Sequence, residues 1–102
     1  MERLTMKAIR KSLHCSEVRL TNHALKQMDK RGYTKKDLLC CIWMGERTEL
    51  QFHRSQYKAV IEGVDSDGLP ITCIVCIDGK DKRYLAIITV FPPIKNKFKR
   101  VI

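Results

Sequence analysis

The chain has 102 residues, and its 20 Lys and Arg outnumber its 11 Asp and Glu to give a formal net charge of +9. This length predicts one domain with a modest core, and a hydrophobic content of 44% excludes a disordered chain. The positive charge predicts attraction to a polyanion, chiefly nucleic acid, or to an acidic protein partner.

The first part of the chain predicts two helices. Residues 4–14 form a basic segment with apolar side chains on one side. Residues 22–31 form a second helix, for which Thr21 or Asn22 is a suitable N-cap and Gly32 a left-handed stop. Its apolar stripe is predicted to consist of Ala24, Leu25 and Met28.

A third helix is predicted to begin after Thr34. The order "TKKD" is typical of a capping box, in which Thr34 and Asp37 each bond to the backbone of the other. Gly45 is predicted to end the helix. Its buried face is predicted to contain Leu38, Leu39, Ile42 and Trp43.

The second half changes to runs of β-branched and aromatic residues separated by turn sequences. Strands are predicted at residues 48–54, 57–64, 69–78 and 83–91. Their short connections favour antiparallel neighbours. The last two are apolar on both faces, which predicts central strands covered by helices. The fold class is therefore α+β, with N-terminal helices followed by an antiparallel sheet of about four strands.

Several motifs occur together between Leu20 and Phe91. They are T-x-H-A-x-x-x-M-x-x-R-G from Thr21, T-x-x-D-L from Thr34, DSDG between two strands, and RYLAIITVF in the last strand. This order resembles a family of small bacterial and phage domains of unknown function. That family is similar to the RelE, BrnT and MqsR toxins of the barnase–EndoU–colicin–RelE class.

The resemblance implies a single RelE-like domain over residues 1–102, ending in a short basic tail. It implies two or three helices packed on a curved antiparallel sheet. It also implies RNA cleavage without a metal or other cofactor, often by the toxin of a toxin–antitoxin pair. The catalytic positions that it implies are His23, Arg31, Arg83 and Thr89. Gln27 departs from the family, which often has arginine there, so one phosphate contact is removed.

Metal-free RNA cleavage requires a base for the ribose 2′-hydroxyl, cations for the phosphate, and an acid for the leaving oxygen. His23 suits the acid–base role because free imidazole has a pKa of about 6.5. Arg31 and Arg83 suit the phosphate because guanidinium binds it in a bidentate manner. The alternative is that His23 is a surface or capping histidine.

Further residues are candidates for RNA contacts, because they are basic, polar or aromatic side chains near these positions or in the tail. They are Gln27, Lys30, Lys58, Tyr84, Lys95, Lys97, Lys99 and Arg100. The basic residues of the first helix are more typical of solvated charge. His53, alone in an edge strand, is more typical of a structural or solvated histidine.

The cysteines predict neither a zinc site nor a disulfide. Cys73 and Cys76 lie in one predicted strand, where positions three apart point to opposite faces and cannot converge on a metal. The N-terminus lacks a secretory h-region, and no apolar run is long enough to span a membrane. We therefore expect a cytoplasmic protein with reduced thiols.

Three functions are compatible with the sequence. The first is a small metal-independent endoribonuclease, as the toxin of a pair. The second is a non-catalytic phage or host regulator that binds an acidic partner such as an antitoxin. The third is an RNA-binding module without catalysis. No membrane partner is expected.

Overall fold

The computed structural model describes residues 4–79 and 83–93. Within this part of the chain it contains three helices and five strands. In chain order they are α1 (Met6–Cys15), β1 (Glu17–Leu20), α2 (Asn22–Arg31), α3 (Lys35–Met44), β2 (Glu46–His53), β3 (Gln56–Val64), β4 (Pro70–Asp78) and β5 (Tyr84–Phe91). Among the described residues, no helix has the length and apolar character needed to cross a bilayer.

The strands form one mixed sheet in the order β1-β5-β4-β3-β2. Strands β2 to β5 are antiparallel neighbours, as the short turns predicted. The prediction of a purely antiparallel sheet of about four strands is wrong, because β1 adds a fifth strand parallel to β5, with Glu17 beside Tyr84 and Leu20 beside Ile87. Only four residues form β1, so its alternation is too short to recognise between two helices.

The core lies between the helices and one face of the sheet. Strand residues alternate between this side and the other, except where the register shifts in β2 and between β4 and β5. The largest fully buried side chains belong to this side and to the helices: Ile9, Leu38, Ile42, Ile61, Ile71, Leu85 and Ile87. The intervening strand positions form the opposite side of the sheet, here called the outer face. They include Lys58, Glu62 and Tyr84, which are only partly buried.

Helix α2 begins and ends as its sequence predicted. The Thr21 hydroxyl accepts a hydrogen bond from the Ala24 N–H across 3.0 Å, and Gly32 follows the helix with a left-handed φ of 75°. The same Thr21 hydroxyl donates to the Ile88 carbonyl across 2.7 Å. The N-terminus of α2 is therefore attached directly to β5.

Helix α3 begins with the predicted capping box between Thr34 and Asp37 and is followed by Gly45. It lies very close to β3, and only a glycine fits at position 63. A Cβ added there would come within 2.6 Å of the Cys41 carbonyl oxygen. Two predicted core residues are exposed instead: Trp43 of α3 at 52% and Leu25 of α2 at 48%. Both helices bury a narrower stripe than expected, because each packs on the sheet along one side only.

Candidate functional site

The four predicted site residues of α2 are His23, Gln27, Lys30 and Arg31, here called the α2 polar face. Arg31 Nε donates a long hydrogen bond of 3.5 Å to Gln27 Oε1. His23, Lys30 and Arg31 are exposed. Ala24 is fully buried, so the backbone that carries these side chains is held in place by packing as well as by the Thr21 hydrogen bonds.

The structure does not bring Arg83 to the α2 polar face. Thr21 contacts the Ile88 carbonyl near the end of β5, whereas Arg83 directly precedes the start of that strand. At about 3.3 Å per residue, the stretch from Arg83 to Ile88 spans roughly 16 Å. Thr89 is closer in sequence to the contact, but it pairs with Ile74 on the outer face.

Arg83 lies instead beside α1, in a region that we call the α1 groove. Two adjoining cavities of about 470 and 600 Å³ share the residues Ala8, Ile77 and Arg83. Residues at the helix side are Leu4, Lys7, Ala8, Lys11 and Ser12, and residues at the sheet side are Arg54, Ser55, Tyr57, Ile77 and Arg83. Among the described residues that line it, none is acidic, so the groove favours anions.

The tip of the β2–β3 hairpin has a strained backbone. Arg54 and Ser55 form its two-residue turn, and both have positive φ, at 51° and 63°. Such turns favour Asn-Gly, because other residues clash in the left-handed region. Each such residue costs on the order of 1 kcal/mol or more. The strain directs attention to Arg54, which this turn places at the groove.

The wall of the groove contains a buried polar atom without a partner. Ser12 is 7% exposed, and its hydroxyl oxygen makes no hydrogen bond to any described residue. A buried hydroxyl in this state costs about 1–3 kcal/mol. A serine within a helix can bond to the preceding turn, but this one does not.

The sequence did not predict this groove. The basic residues of α1 have the pattern of solvated charge, and the predicted strand of residues 48–54 includes Arg54. The two-residue turn of Arg54 and Ser55, with its positive φ angles, is evident only in the structure.

Tyr84, a predicted RNA contact, is already engaged on the outer face. The Arg19 guanidinium lies 4.0 Å from the centre of its ring, and Arg19 Nε is 2.7 Å from Glu17 Oε2. The hydrogen bond from Arg19 to Glu17 raises the pKa of Arg19. Lys58 is on the same face, but β4 lies between its strand and β5.

Some predicted residues lie outside the described part of the structure. These are Lys95, Lys97, Lys99 and Arg100 of the basic tail. The side chain of His53 is also outside it.

The thiols of the C-x-x-C sequence lie on opposite faces of β4, as its strand position predicted. Cys73 pairs with Val90 and belongs to the core, whereas Cys76 pairs with Ala86. A hydrogen bond with Cys41, together with burial, raises the pKa of Cys73. Burial also raises the pKa of Cys76. Both thiols therefore stay protonated at neutral pH, which does not suit a thiolate nucleophile.

Comparison with protein families gives one match. The profile of a domain of unknown function, DUF4258, matches residues 20–92. The chain belongs to the DUF4258 family. No curated protein and no solved structure matches the chain. The DUF4258 match agrees with the predicted resemblance in its extent, but it carries no link to RelE, BrnT or MqsR, so the relation to toxins stays a prediction.

The DUF4258 region contains the α2 polar face and the sheet side of the α1 groove, including Arg54 and Arg83. Helix α1 precedes it. The groove is therefore formed between the family domain and a segment on its N-terminal side.

Proposed function

We propose that this DUF4258 domain binds RNA and cleaves it without a metal ion, as a small endoribonuclease. The observation that carries the proposal is the α2 polar face, where His23 shares one side of the helix with Gln27, Lys30 and Arg31 and the helix is attached to the sheet. The net charge of +9 supports it, because attraction to phosphates supplies nearly all of the non-specific affinity of a protein for nucleic acid.

The chemistry requires only groups of this face. The His23 imidazole takes the proton from the ribose 2′-hydroxyl, and the 2′-oxygen attacks phosphorus. Arg31 stabilises the negative charge that develops on the phosphate oxygens. The imidazolium then returns the proton to the leaving 5′-oxygen. The products are a 2′,3′-cyclic phosphate and a 5′-hydroxyl end. Under this proposal, the protein would act as the toxin of a toxin–antitoxin pair.

An RNA-cleavage assay in the presence of a chelator tests the proposal. His23→Ala should reduce the rate by about 10²–10⁴-fold, which is the usual contribution of a general acid–base group. Arg31→Gln should also reduce it. Lys36→Gln is the matched control, because Lys36 is an exposed cation of α3 rather than α2.

Thermal melts of the same variants separate chemistry from folding. The His23 and Arg31 variants should melt like the wild type, since both side chains are exposed. Wild-type protein that leaves varied RNAs intact, with or without ribosomes, would refute the nuclease. Cleavage that survives His23→Ala would refute this site.

A second candidate is binding of an acidic protein partner, such as an antitoxin. Trp43 and Met44 are 52% and 65% exposed at the end of α3. Arg10 lies beside them, donating to the Trp43 carbonyl across 3.0 Å and to the Gly45 carbonyl across 2.7 Å. An exposed Trp next to Arg is typical of interface hot spots. Stoichiometric copurification of one acidic protein, lost in Trp43→Ala, would favour this function.

A further inference from the structure

The α1 groove combines two properties that indicate the kind of ligand it would bind. It is lined by cationic side chains without an acidic one among the described residues, and it has an aromatic and apolar surface formed by Tyr57, Ile77 and Leu4. We propose that the α1 groove binds a nucleotide through its phosphate monoester. Arg54 and Arg83 hold the phosphate, and the base lies on Tyr57. The site is separate from the α2 polar face and does not depend on RNA cleavage there.

The phosphate position follows from the two arginines. Arg54 and Arg83 line the same cavity of about 470 Å³, and each guanidinium offers a planar pair of donors that matches phosphate oxygens. A monoester carries a charge of about −1.5 to −2 near neutral pH. The left-handed backbone of Arg54, with φ of 51°, holds its side chain at this cavity at a cost that ligand binding would justify.

The base position follows from the floor. Tyr57 lines the same cavity, with Ile77 and Leu4 nearby. Its ring packs against Phe52 with centroids 4.8 Å apart, so its orientation is restrained. Bases stack on such rings with little dependence on base identity.

The adjoining cavity of about 600 Å³ extends the groove along α1. Lys7 and Lys11 lie there one helical turn apart, next to Ser12. Both ammonium groups would add to the attraction for an anionic ligand. Each cavity alone lies within the range of about 300–1,000 Å³ that is typical of ligand pockets, so the groove has room for a mononucleotide.

Calorimetric titration of the full chain with AMP tests the proposal. Arg54→Gln and Arg83→Gln should each weaken AMP binding by tenfold or more. Lys36→Gln is the matched control, since it removes one exposed cation of α3 away from the groove, and it should leave binding unchanged. Thermal melts of the two arginine variants should match the wild type, since both side chains are exposed, so that weaker binding is not explained by loss of folding.

Other probes test each part of the ligand. Adenosine and inorganic phosphate should both bind more weakly than AMP; equal binding of either would overturn the proposal. The proposal would be overturned if the wild-type protein bound neither AMP nor a 5′-phosphorylated trinucleotide. It would also be overturned if neither arginine substitution changed the affinity for AMP.

The trinucleotide distinguishes a free nucleotide from the 5′-phosphorylated end of an RNA as the natural ligand. Tighter binding of the 5′-phosphorylated trinucleotide than of AMP would assign the groove to an RNA end, and the reverse order would assign it to a free nucleotide. An unphosphorylated trinucleotide that binds as tightly as the phosphorylated one would overturn the role of the monoester. Loss of cleavage in His23→Ala with AMP binding intact would show that the two sites are independent.

Discussion

Both carboxylate oxygens of Asp37 accept hydrogen bonds, one at the start of α3 and the other from the turn between β3 and β4, whereas the Ser12 hydroxyl of α1 has no partner among the described residues. Asp37 accepts from the Thr34 N–H across 2.9 Å, and from the Ser66 N–H across 3.0 Å and the Ser66 hydroxyl. The two residues are equally buried, at 7% exposure. A difference in burial therefore does not explain why Asp37 is fully hydrogen-bonded and Ser12 is not.

The difference indicates which region is structural. A fully satisfied polar network stabilises a unique arrangement, whereas an unsatisfied buried group is costly. The α1 groove carries a second cost in the left-handed Arg54 and Ser55. Unsatisfied buried polar groups and unfavourable backbone conformations occur most often at functional sites. The Asp37 network thus joins α3 to the turn, and the groove is the place to seek a ligand.

The largest expected effect is the loss of the Asp37 network. Asp37→Ala should lower the free energy of unfolding by about 2–4 kcal/mol, since it leaves the Thr34 and Ser66 donors without their charged acceptor. Chemical denaturation measures it. Asp67→Ala, in the same turn but exposed, is the control and should change stability by less than about 0.5 kcal/mol. Similar losses in both variants would show that the network is not special.

The second expected effect is a dependence on pH. The Ser66 hydroxyl, followed by the Thr34 N–H, lowers the pKa of Asp37 from its ordinary 3.8 to about 2. A group whose pKa is lower in the folded state stabilises the protein above its unfolded pKa, and that stability is lost as the pH falls towards the folded pKa. As the pH falls from about 5 to about 2, the free energy of unfolding of the wild type should decrease more than that of Asp37→Asn. Parallel stability curves would contradict this.

The same contrast explains what the sequence could predict. The capping box of Thr34 and Asp37, and the Thr21 and Gly32 limits of α2, are local motifs and were found from sequence. The α1 groove joins Lys7, Arg54 and Arg83 from three distant segments, so no spacing in the chain reveals it. The separation of His23 from Arg83 depends on β1 running parallel to β5, and that strand was the one missed.

The third expected effect is a relief of strain at the hairpin. Replacing Arg54-Ser55 by Asn-Gly should raise the free energy of unfolding by about 1 kcal/mol, because these residues suit a turn with two positive φ angles. Denaturation with urea measures the change. Swapping the exposed residues Asp67-Gly68 of the other turn to Asn-Gly is a control with no expected gain, since Gly68 already has a φ of 84°. Destabilisation by the hairpin substitution would show that Arg54 makes structural contacts that outweigh its strain.

The last expected effect, a change of sign, compares two serines directly. Ser66→Ala should lower the free energy of unfolding by about 1–2 kcal/mol, because its hydroxyl donates to the Asp37 carboxylate. Ser12→Ala should instead raise it by about 1 kcal/mol, since it removes an unpartnered buried hydroxyl and places a better helix former within α1. Paired thermal and urea denaturation of the two variants gives the signs. Opposite signs would show that the Ser12 hydroxyl, unlike that of Ser66, is kept at a cost to stability. A loss of stability in both would mean that Ser12 is satisfied within the fold, and the contrast between the two regions would disappear.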